Sequence, residues 1–152
     1  MAGYTVKDYD PDVSSRALMI EADISPKHAV ELCRALRGMM VEDALEFLDD
    51  VIALKTPVPF RRYNKRVAHQ KGVGPGRFPE KAARAIKKTI ESAKNNAEFD
   101  GKDPDSMYIS TISASRGRVT EGYIPRAHGR STQFNHETVN IEVIITLTEE
   151  EE

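Results

Sequence analysis

The sequence predicts an α+β domain in which three helices form one layer on a small antiparallel sheet and a long β-hairpin projects from this body. Three observations predict this class. The chain has 152 residues, enough for a single domain with a sizeable core. Its first two-thirds carry apolar residues at helical spacing, whereas its last third alternates apolar and polar residues as strands do. The stretch between the last two strands is too polar to pack a core of its own.

The composition is that of a soluble globular protein. At 39% hydrophobic and 30% charged residues it lies near globular averages, which excludes a disordered or collagen-like chain. No apolar run approaches the roughly 18 residues of a membrane span, and the N-terminus lacks the layout of a signal peptide. Cys33 is the only cysteine, which excludes an intramolecular disulfide and a zinc site of several thiolates. We therefore expect a cytoplasmic protein without a membrane partner.

The first half of the chain predicts one strand and two helices. Residues 17–24 form a short apolar run that suits a strand, although periodicity alone does not distinguish it from the start of a helix. The first helix begins after Ser25, a preferred N-cap residue, with Pro26 in its first turn, and it ends before Gly38. A second helix covers residues 41–54, with acids on one side and these residues on its apolar face: Val41, Ala44, Leu45, Leu48, Val51 and Ile52.

The second half predicts a third helix and two strands. The helix covers residues 79–96 and has an alanine-rich inner face that allows close packing. Residues 107–115 are the first strand, and residues 139–147 alternate apolar and polar side chains with Ile144 as the one apolar exception. If both strands continue through residues 116–138 as a ribbon, they form an arm that projects roughly 35 Å. Because an isolated ribbon is marginally stable in water, we expect this arm to lie against a partner.

Charge is distributed along the chain in three blocks. Residues 1–52 carry 5 Lys and Arg against 11 Asp and Glu, and residues 131–152 carry none against 6, so each block has a net charge of −6. Residues 53–130 carry 17 against 7, a net charge of +10. The 29 residues 51–79 contain seven cations and no acid. This basic middle predicts an anionic partner, whereas the acidic run 149–152 predicts a solvated tail.

The basic loop, residues 57–78, is the first candidate binding segment. Its six Gly and Pro residues and its lack of a period predict an ordered loop. Its cations would contact phosphates with a steep salt dependence, and its glycine-rich turn would let backbone N–H groups meet phosphate. An ordinary solvated loop is the alternative. The cations and interleaved rings are Arg61, Arg62, Lys65, Arg66, Lys71 and Arg77, with Phe60, Tyr63 and His69.

The arm, residues 116–138, is the second candidate binding segment. All its cations are arginines, whose planar guanidinium pairs with phosphate through two hydrogen bonds and stacks on bases. Proteins recognise unstacked RNA bases with aromatic or imidazole rings that lie beside arginines. Gly117, Gly122 and Gly129 are expected to let a partner approach the backbone. The alternative is a flexible, soluble hairpin tip that bears arginines without a binding function. The cations and rings are Arg116, Arg118, Arg126 and Arg130, with Tyr123, His128, Phe134 and His136.

The sequence offers no convergent catalytic or metal-binding set. The four histidines lack metal-ligand spacing, and Cys33 lies on the apolar stripe of the first helix, where a core thiol is expected. Asp49 and Asp50 lie on a solvated helix face without the desolvation that a general acid pair needs. We predict a protein that is not an enzyme and takes no cofactor or metal. The alternative is a small RNA-modifying or hydrolytic enzyme that uses the same basic patch.

Four segments together resemble one known family. They are PVPFRRYN at 57–64, GPGRFPEKAA at 74–83, SAKNNAEFDG at 92–101 and PRAHGR at 125–130. Each is weak alone, but together they resemble the L-twenty-two family of large-subunit ribosomal proteins, in its archaeal and eukaryotic branch. The resemblance covers most of the chain, from about Ser14 to Thr148.

The resemblance implies a fold and a function. The fold is a single body of β-α(3)-β(2) order with a long hairpin. The function is that of a structural constituent of the large ribosomal subunit in the cytoplasm, which contacts several rRNA domains and aids assembly. The body would lie beside the polypeptide exit among neighbouring ribosomal proteins, and the hairpin would line the tunnel and meet the nascent polypeptide.

The resemblance also implies binding residues by position. The RNA-contacting loop of the family falls on residues 61–77 and its hairpin tip on about residues 118–134, within an extended hairpin of about residues 107–148. The predicted rRNA-binding residues are Arg61, Arg62, Tyr63, Asn64, Lys65, Arg66, His69, Lys71, Arg77, Arg116, Arg118, Arg126, His128 and Arg130. The predicted tunnel-lining residues are Tyr123, Ile124, Pro125, Arg126, Ala127, His128, Gly129 and Arg130.

Overall fold

The computed structural model describes residues 3–7 and 9–148 of the chain. The acidic run 149–152 lies outside these residues, so its assignment as a solvated tail stays a prediction. The helices are α1 (Pro26–Leu36), α2 (Val41–Ile52) and α3 (Glu80–Phe99). The strands, numbered along the chain, are β1 (Ser14–Ala22), β2 (Val58–Pro59), β3 (His69–Gln70), β4 (Gly74–Arg77), β5 (Met107–Thr120), β6 (Tyr123–Pro125), β7 (Ser131–Gln133) and β8 (His136–Leu147).

The three helices pack on one face of an antiparallel sheet with the strand order β1-β8-β5. Because β8 is central, its inward residues form the middle of the core, and the alternation seen in the sequence points them toward the helices. The predicted α+β class, with its three helices and antiparallel sheet, is confirmed. Fully buried core residues include Leu32, Leu36, Leu48, Ile86, Ile90, Ile109, Ile141 and Ile145.

The helices begin and end close to the predicted residues. Ser25 occupies the N-cap of α1, where its carbonyl accepts the N–H of Ala29 at 3.0 Å while its side chain makes no cap hydrogen bond. At the turn into α2 the N–H of Gly38 donates to the carbonyl of Ile109 at 2.9 Å, and the N–H of Ile109 donates to the carbonyl of Met39 at 2.8 Å. This turn is therefore held against β5. α3 continues to Phe99, past the predicted end at residue 96.

The apolar run at 17–24 is a strand and not the start of a helix, but its bounds differ from the prediction. β1 begins earlier, at Ser14, and ends at Ala22. Its pairing with β8 is irregular between Met19 and Ala22, and Glu21 there has a φ of 55°. The amide oxygen of Asn140 accepts the N–H of Glu21 at 2.9 Å, which holds this bulge to the central strand.

The face of the sheet opposite the helices is partly covered by the N-terminal segment, which the sequence did not predict. The carboxylate of Glu142 on β8 is 3% exposed and accepts the N–H groups of Thr5 and Val6 and the hydroxyl of Thr5. The guanidinium of Arg16 lies 4.0 Å from the ring centre of Tyr4 and 4.2 Å from that of Tyr9. These contacts account for the burial of Glu142, and Ile144, the apolar exception in β8, lies on the same face of the sheet and is also buried.

Acid should weaken this N-terminal contact. Burial by itself raises the pKa of Glu142, but the hydrogen bonds from Thr5 and Val6 and the charge of Arg16 outweigh it and leave that pKa below its ordinary value. A lowered pKa stabilises the fold above the unfolded pKa, and this stabilisation is lost as the pH falls through the folded pKa. We expect Thr5→Val to lower stability at neutral pH and to flatten its decline below about pH 4.3, as measured by urea unfolding. Parallel pH curves for the two proteins would contradict this.

The basic loop contains regular structure that the sequence did not predict. β2 and β3 both pair with β4, in the order β2-β4-β3, so the loop is a small antiparallel sheet. The central strand is the segment Gly-Pro-Gly-Arg, whose composition disfavours strands, which is why pattern reasoning did not find it. The N–H of Phe60 donates to the carbonyl of Pro75 at 2.8 Å, and the N–H of Gly76 donates to the carbonyl of Ala68 at 3.1 Å.

β5 and β8 form the predicted hairpin and are longer than predicted. Their pairing continues outward to Thr120 and His136, beyond the predicted strand ends at 115 and 139. β6 and β7 then pair with each other, and a short 3-10 turn at Ala127–Gly129 closes the tip. None of residues 115–138 is buried, so the hairpin projects from the body as expected.

Candidate nucleic-acid interface

A buried carboxylate holds the start of the basic loop in place. Glu31 of α1 is 1% exposed, and its side chain accepts three consecutive backbone N–H groups. Those of Arg62 and Tyr63 both donate to Oε1 at 2.7 Å, and that of Arg61 donates to Oε2 at 3.1 Å. Because a carboxylate needs such partners when it is buried, this contact fixes the direction in which the loop leaves β2.

Four cations and three rings of α1 and the basic loop surround one cavity, which we name the loop cavity. Its volume is about 420 Å³. Phe60 forms a buried wall, and Arg77 of β4 lies over its ring with its Cζ 5.8 Å from the ring centre. Arg62 and Lys27 lie 5.5 Å and 5.9 Å from the ring centre of Tyr63. The lining residues are Lys27, His28, Phe60, Arg62, Tyr63, Lys65 and Arg77.

His28 contributes an imidazole to the loop cavity. It is half-buried and meets Phe60 edge-on, with 5.4 Å between the ring centres and 73° between the planes. Burial lowers the pKa of His28, and the charge of Arg77 lowers it further. The imidazole is therefore biased toward its neutral form, and the positive charge of the cavity comes from its lysines and arginines.

The base of the arm adjoins the loop cavity. A second cavity of about 260 Å³ is lined by Lys27 and Tyr63, which also line the first, and by Arg116 and Glu137 at the base of the arm. Arg116 lies 3.9 Å from the carboxylate of Glu137 across the hairpin. The two segments that the charge pattern singled out thus meet at one continuous face of the protein.

The cations of α3 and those of this face differ in their partners. On α3, Lys81 pairs with Asp23, Lys87 with Asp49 and Lys94 with Glu42 and Asp105, and Arg84 pairs with Glu80. Four of the five cations of α3 are therefore neutralised by acids of the same body. In contrast, among the described residues no carboxylate lies within ion-pair distance of these cations of the face, loop and arm: Lys27, Arg61, Arg62, Lys65, Arg66, Lys71, Arg77, Arg118, Arg126 and Arg130.

The structure brings some of the predicted loop residues together and separates others. Arg62, Tyr63, Lys65 and Arg77 converge on the loop cavity. The side chain of Arg61 lies elsewhere, in a cleft beside Arg34, Met39 and Phe47, although its backbone belongs to the same turn. The remaining loop residues lie in exposed turns or on β3 and do not line the loop cavity; they are Asn64, Arg66, His69 and Lys71.

The predicted glycine functions need two corrections. A Cβ at Gly117 or Gly122 would lie 2.6 Å from the hydroxyl of Thr138 or the carbonyl of Phe134, so these glycines permit close pairing within the hairpin and not the approach of a partner. The N–H of Gly76 is used inside the small loop sheet, so it is not available for phosphate. Gly129, with a φ of 69°, instead shapes the tip turn.

The tip of the arm presents its side chains to solvent. The N–H of Arg126 donates to the carbonyl of Arg130 at 2.8 Å, and the guanidinium Nε of Arg126 donates to the hydroxyl of Thr132 at 3.0 Å. His128 has a φ of 58° in the tip turn. Tyr123 is 70% exposed and Phe134 is 67% exposed. The predicted tip residues are thus available for contact with a partner, while Arg116 and Arg118 lie nearer the body.

Replacing Arg126 and Arg130 together with alanine should leave the stability of the isolated protein nearly unchanged. Both side chains are exposed, and surface substitutions shift the free energy of unfolding by about 0.5 kcal/mol or less. Thermal unfolding of the variant and the parent checks this expectation. A large loss of stability would show that the tip arginines hold the arm on the body.

The residues considered for catalysis in the sequence lie in the core or in surface ion pairs. Cys33 is buried in the core, and this burial raises the pKa of its thiol to about 12. Asp49 and Asp50 are solvated and pair with Lys87 and Lys55. Within residues 3–7 and 9–148, no group of three or more His, Cys, Asp and Glu side chains is arranged to hold a metal ion.

Sequence reasoning missed three residues of the interface. Lys27 and His28 lie on α1, far along the chain from the loop whose cavity they line, and Glu31 lies on the same helix. With 3.6 residues per turn, Glu31 points away from the apolar stripe of Ala29, Leu32, Cys33 and Leu36. It is buried because the basic loop packs on it. None of the three residues carried a signal in the sequence, because only packing brings α1 to the loop.

Fold and surface together define the class: a small α+β protein with a projecting hairpin and a basic, aromatic-lined face. The family model for ribosomal protein L22p/L17e matches residues 17–146. The chain belongs to this family of ribosomal proteins, as its motifs indicated.

Curated relatives with the same description cover nearly the whole chain. "Large ribosomal subunit protein uL22" of Methanothrix thermoacetophila is 53% identical over 135 residues, which are 87% of this chain and 89% of the relative. The protein so named from Methanopyrus kandleri is 49% identical over 91% of this chain and 90% of its own length. That of Picrophilus torridus is 46% identical over 99% of this chain and 100% of its own.

No helix in the described residues is long and apolar enough to cross a membrane.

Proposed function

We propose that this protein is a structural, non-catalytic constituent of the large ribosomal subunit in the cytoplasm and that it binds large-subunit rRNA through the basic loop and the arm. The observation that carries this proposal is the contrast in ion pairing. Apart from Arg116, which lies 3.9 Å from Glu137, the cations of the loop and arm lack carboxylate partners among the described residues, whereas four of the five cations of α3 have them. Unpaired cations on an ordered surface bind phosphates without first breaking an internal pair.

The geometry supports a cross-linking mechanism. The loop is held to the body by Glu31, and the arm begins at Arg116 beside the same face and extends outward from it. One protein can therefore hold an RNA segment at its body and reach others with its arm, so that several rRNA domains are kept in register during assembly. The guanidinium groups along the arm are suited to contact phosphates and to stack on bases. Such contacts depend little on hydrogen bonds to the edges of the bases.

Family membership supports the finer placement that we propose. The body would lie near the polypeptide exit among neighbouring ribosomal proteins, and the hairpin would line the exit tunnel, where its tip meets the nascent polypeptide. The residues proposed to line the tunnel are those of the exposed tip, from Tyr123 to Arg130.

Binding of the full chain to large-subunit rRNA fragments across a salt series, with helical competitor RNA present, tests the function. We expect the affinity to fall steeply with the logarithm of salt concentration, because each phosphate contact contributes a slope of about −0.7 to −0.9. We also expect preference for rRNA over the competitor. A flat salt dependence, or equal affinity for both RNAs, would overturn the proposal.

A further inference from the structure

We infer that the loop cavity is a binding site for one unpaired, unstacked RNA nucleotide whose base stacks on the ring of Tyr63 and whose phosphate meets the cations at the rim. This inference rests on the proposed function, since it names the part of the RNA that the basic loop receives. It adds Lys27, His28 and Phe60, which are not among the predicted binding residues.

The size and shape of the loop cavity fit such a ligand. Its volume of about 420 Å³ lies within the range of about 300 to 1,000 Å³ that small-ligand sites occupy. Phosphate contact alone needs only exposed cations on a flat surface, as the outer turns of the loop already provide. A concave site with aromatic walls instead favours a ligand with a flat ring, and bases splayed out of single strands are recognised by stacking on such side chains.

The chemistry of the lining selects a nucleotide over an apolar ligand. Among the residues that the structure describes, no carboxylate lines the loop cavity, and its four cations give it a strong preference for anions. The rings of Tyr63 and His28 contribute stacking surface, and the buried ring of Phe60 packs edge-on against His28. Arg62 and Lys27 already lie near the ring of Tyr63, so a base that stacks there would also be within reach of their charge. A ligand that satisfies both features carries an aromatic ring and a phosphate.

The loop cavity is built before any ligand arrives. Three backbone N–H groups donated to Glu31 hold the turn that carries Arg62 and Tyr63. Phe60 is 3% exposed and held by the small loop sheet, and Arg77 belongs to the central strand of that sheet. Little ordering is needed on binding, which favours affinity for a single nucleotide.

Titration of the isotope-labelled full chain with AMP, followed by NMR, tests the site directly. Saturable shifts centred on the His28 ring and on Tyr63 are expected, and adenosine or inorganic phosphate alone should shift these signals far less at the same concentration. Equal shifts with inorganic phosphate would show a phosphate site without base binding and would overturn the inference. Absence of saturable shifts with AMP would overturn it as well.

Two matched variants extend the test to RNA. Tyr63→Leu removes a cavity ring, whereas Phe99→Leu removes a 92% exposed ring at the far end of α3, about 28 Å along the helix axis from the loop. We expect the first to weaken rRNA fragment binding about tenfold and to abolish the AMP shifts, and the second to change neither.

The two proposals fail in distinguishable ways. If Tyr63→Leu binds rRNA as the parent does while the parent keeps its steep salt dependence, the nucleotide site is wrong and the proposed function stands. If the parent does not prefer rRNA over competitor RNA, the proposed function fails. The AMP titration is read on the protein alone, so it decides on the cavity in either case.

Discussion

Replacing Glu31 with alanine should lower the free energy of unfolding by about 3 to 5 kcal/mol and should also weaken rRNA binding. The substitution removes the acceptor of three backbone hydrogen bonds, each made to a charged group, and leaves a space at a buried position. The turn that carries Arg62 and Tyr63 then has to be ordered when RNA binds. Ordering costs about 1 to 2 kcal/mol per residue, so an affinity loss of at least about tenfold is expected.

Urea unfolding and rRNA fragment binding measure the two effects of Glu31→Ala. Glu31→Gln should lose less stability, because its amide oxygen can still accept the N–H groups of Arg62 and Tyr63. Glu46→Ala is the matched control, since Glu46 is an exposed glutamate of α2, and it should stay within about 0.5 kcal/mol of the parent. Equal stability of Glu31→Ala and Glu46→Ala would show that the buried carboxylate does not hold the loop.

Removing three of the four cavity cations, Arg62, Lys65 and Arg77, should lower rRNA affinity about 100-fold at about 0.1 M salt. Each cation that contacts a phosphate contributes a slope of about −0.7 to −0.9 to the salt dependence, so the alanine variant should show a slope shallower by about 2 to 3. Stability should change little, because these side chains have no carboxylate partner among the described residues.

A second triple variant separates local contact from overall charge. Replacing Lys81, Lys87 and Lys94 with alanine removes the same charge from cations that already pair with acids of the body. We expect less than about a tenfold loss of rRNA affinity and an unchanged slope, since no phosphate contact is removed. Equal losses in the two variants would mean that net charge alone drives binding, and that the ion-pairing contrast does not mark the interface.

Much of the fold could be predicted because local patterns and packing agree in this chain. α1 follows from Ser25, Pro26 and its apolar spacing, and β8 follows from an alternation of apolar and polar residues that only Ile144 interrupts. The predictions that failed were those where tertiary contacts decide the local structure. Gly74 to Arg77 is a strand because β2 and β3 pair with it on both sides, and its own residues disfavour that state. The covering of Glu142 by Thr5 likewise depends on where the N-terminal segment packs.

The candidate site also has some features that the sequence predicted and others that only tertiary contacts decide. Charge counting and ring content located the basic loop and the arm, and these segments do carry cations without carboxylate partners among the described residues. Sequence patterns alone did not bring Lys27 and His28 to the loop, did not direct Arg61 away from the cavity, and did not identify the close pairing at Gly117 and Gly122 as internal to the hairpin.

The amino-acid sequence by itself determined the class of the fold, the basic middle of the chain, the family and the two segments that bear the charge. These properties depend on spacing along the chain and on composition, which are local. The tertiary structure alone decided which cations are neutralised, which converge on one cavity and which carboxylate holds them there. Those properties depend on distances between residues that are far apart in sequence, such as Glu31 and Tyr63, and such distances exist only once the helices have packed on the sheet.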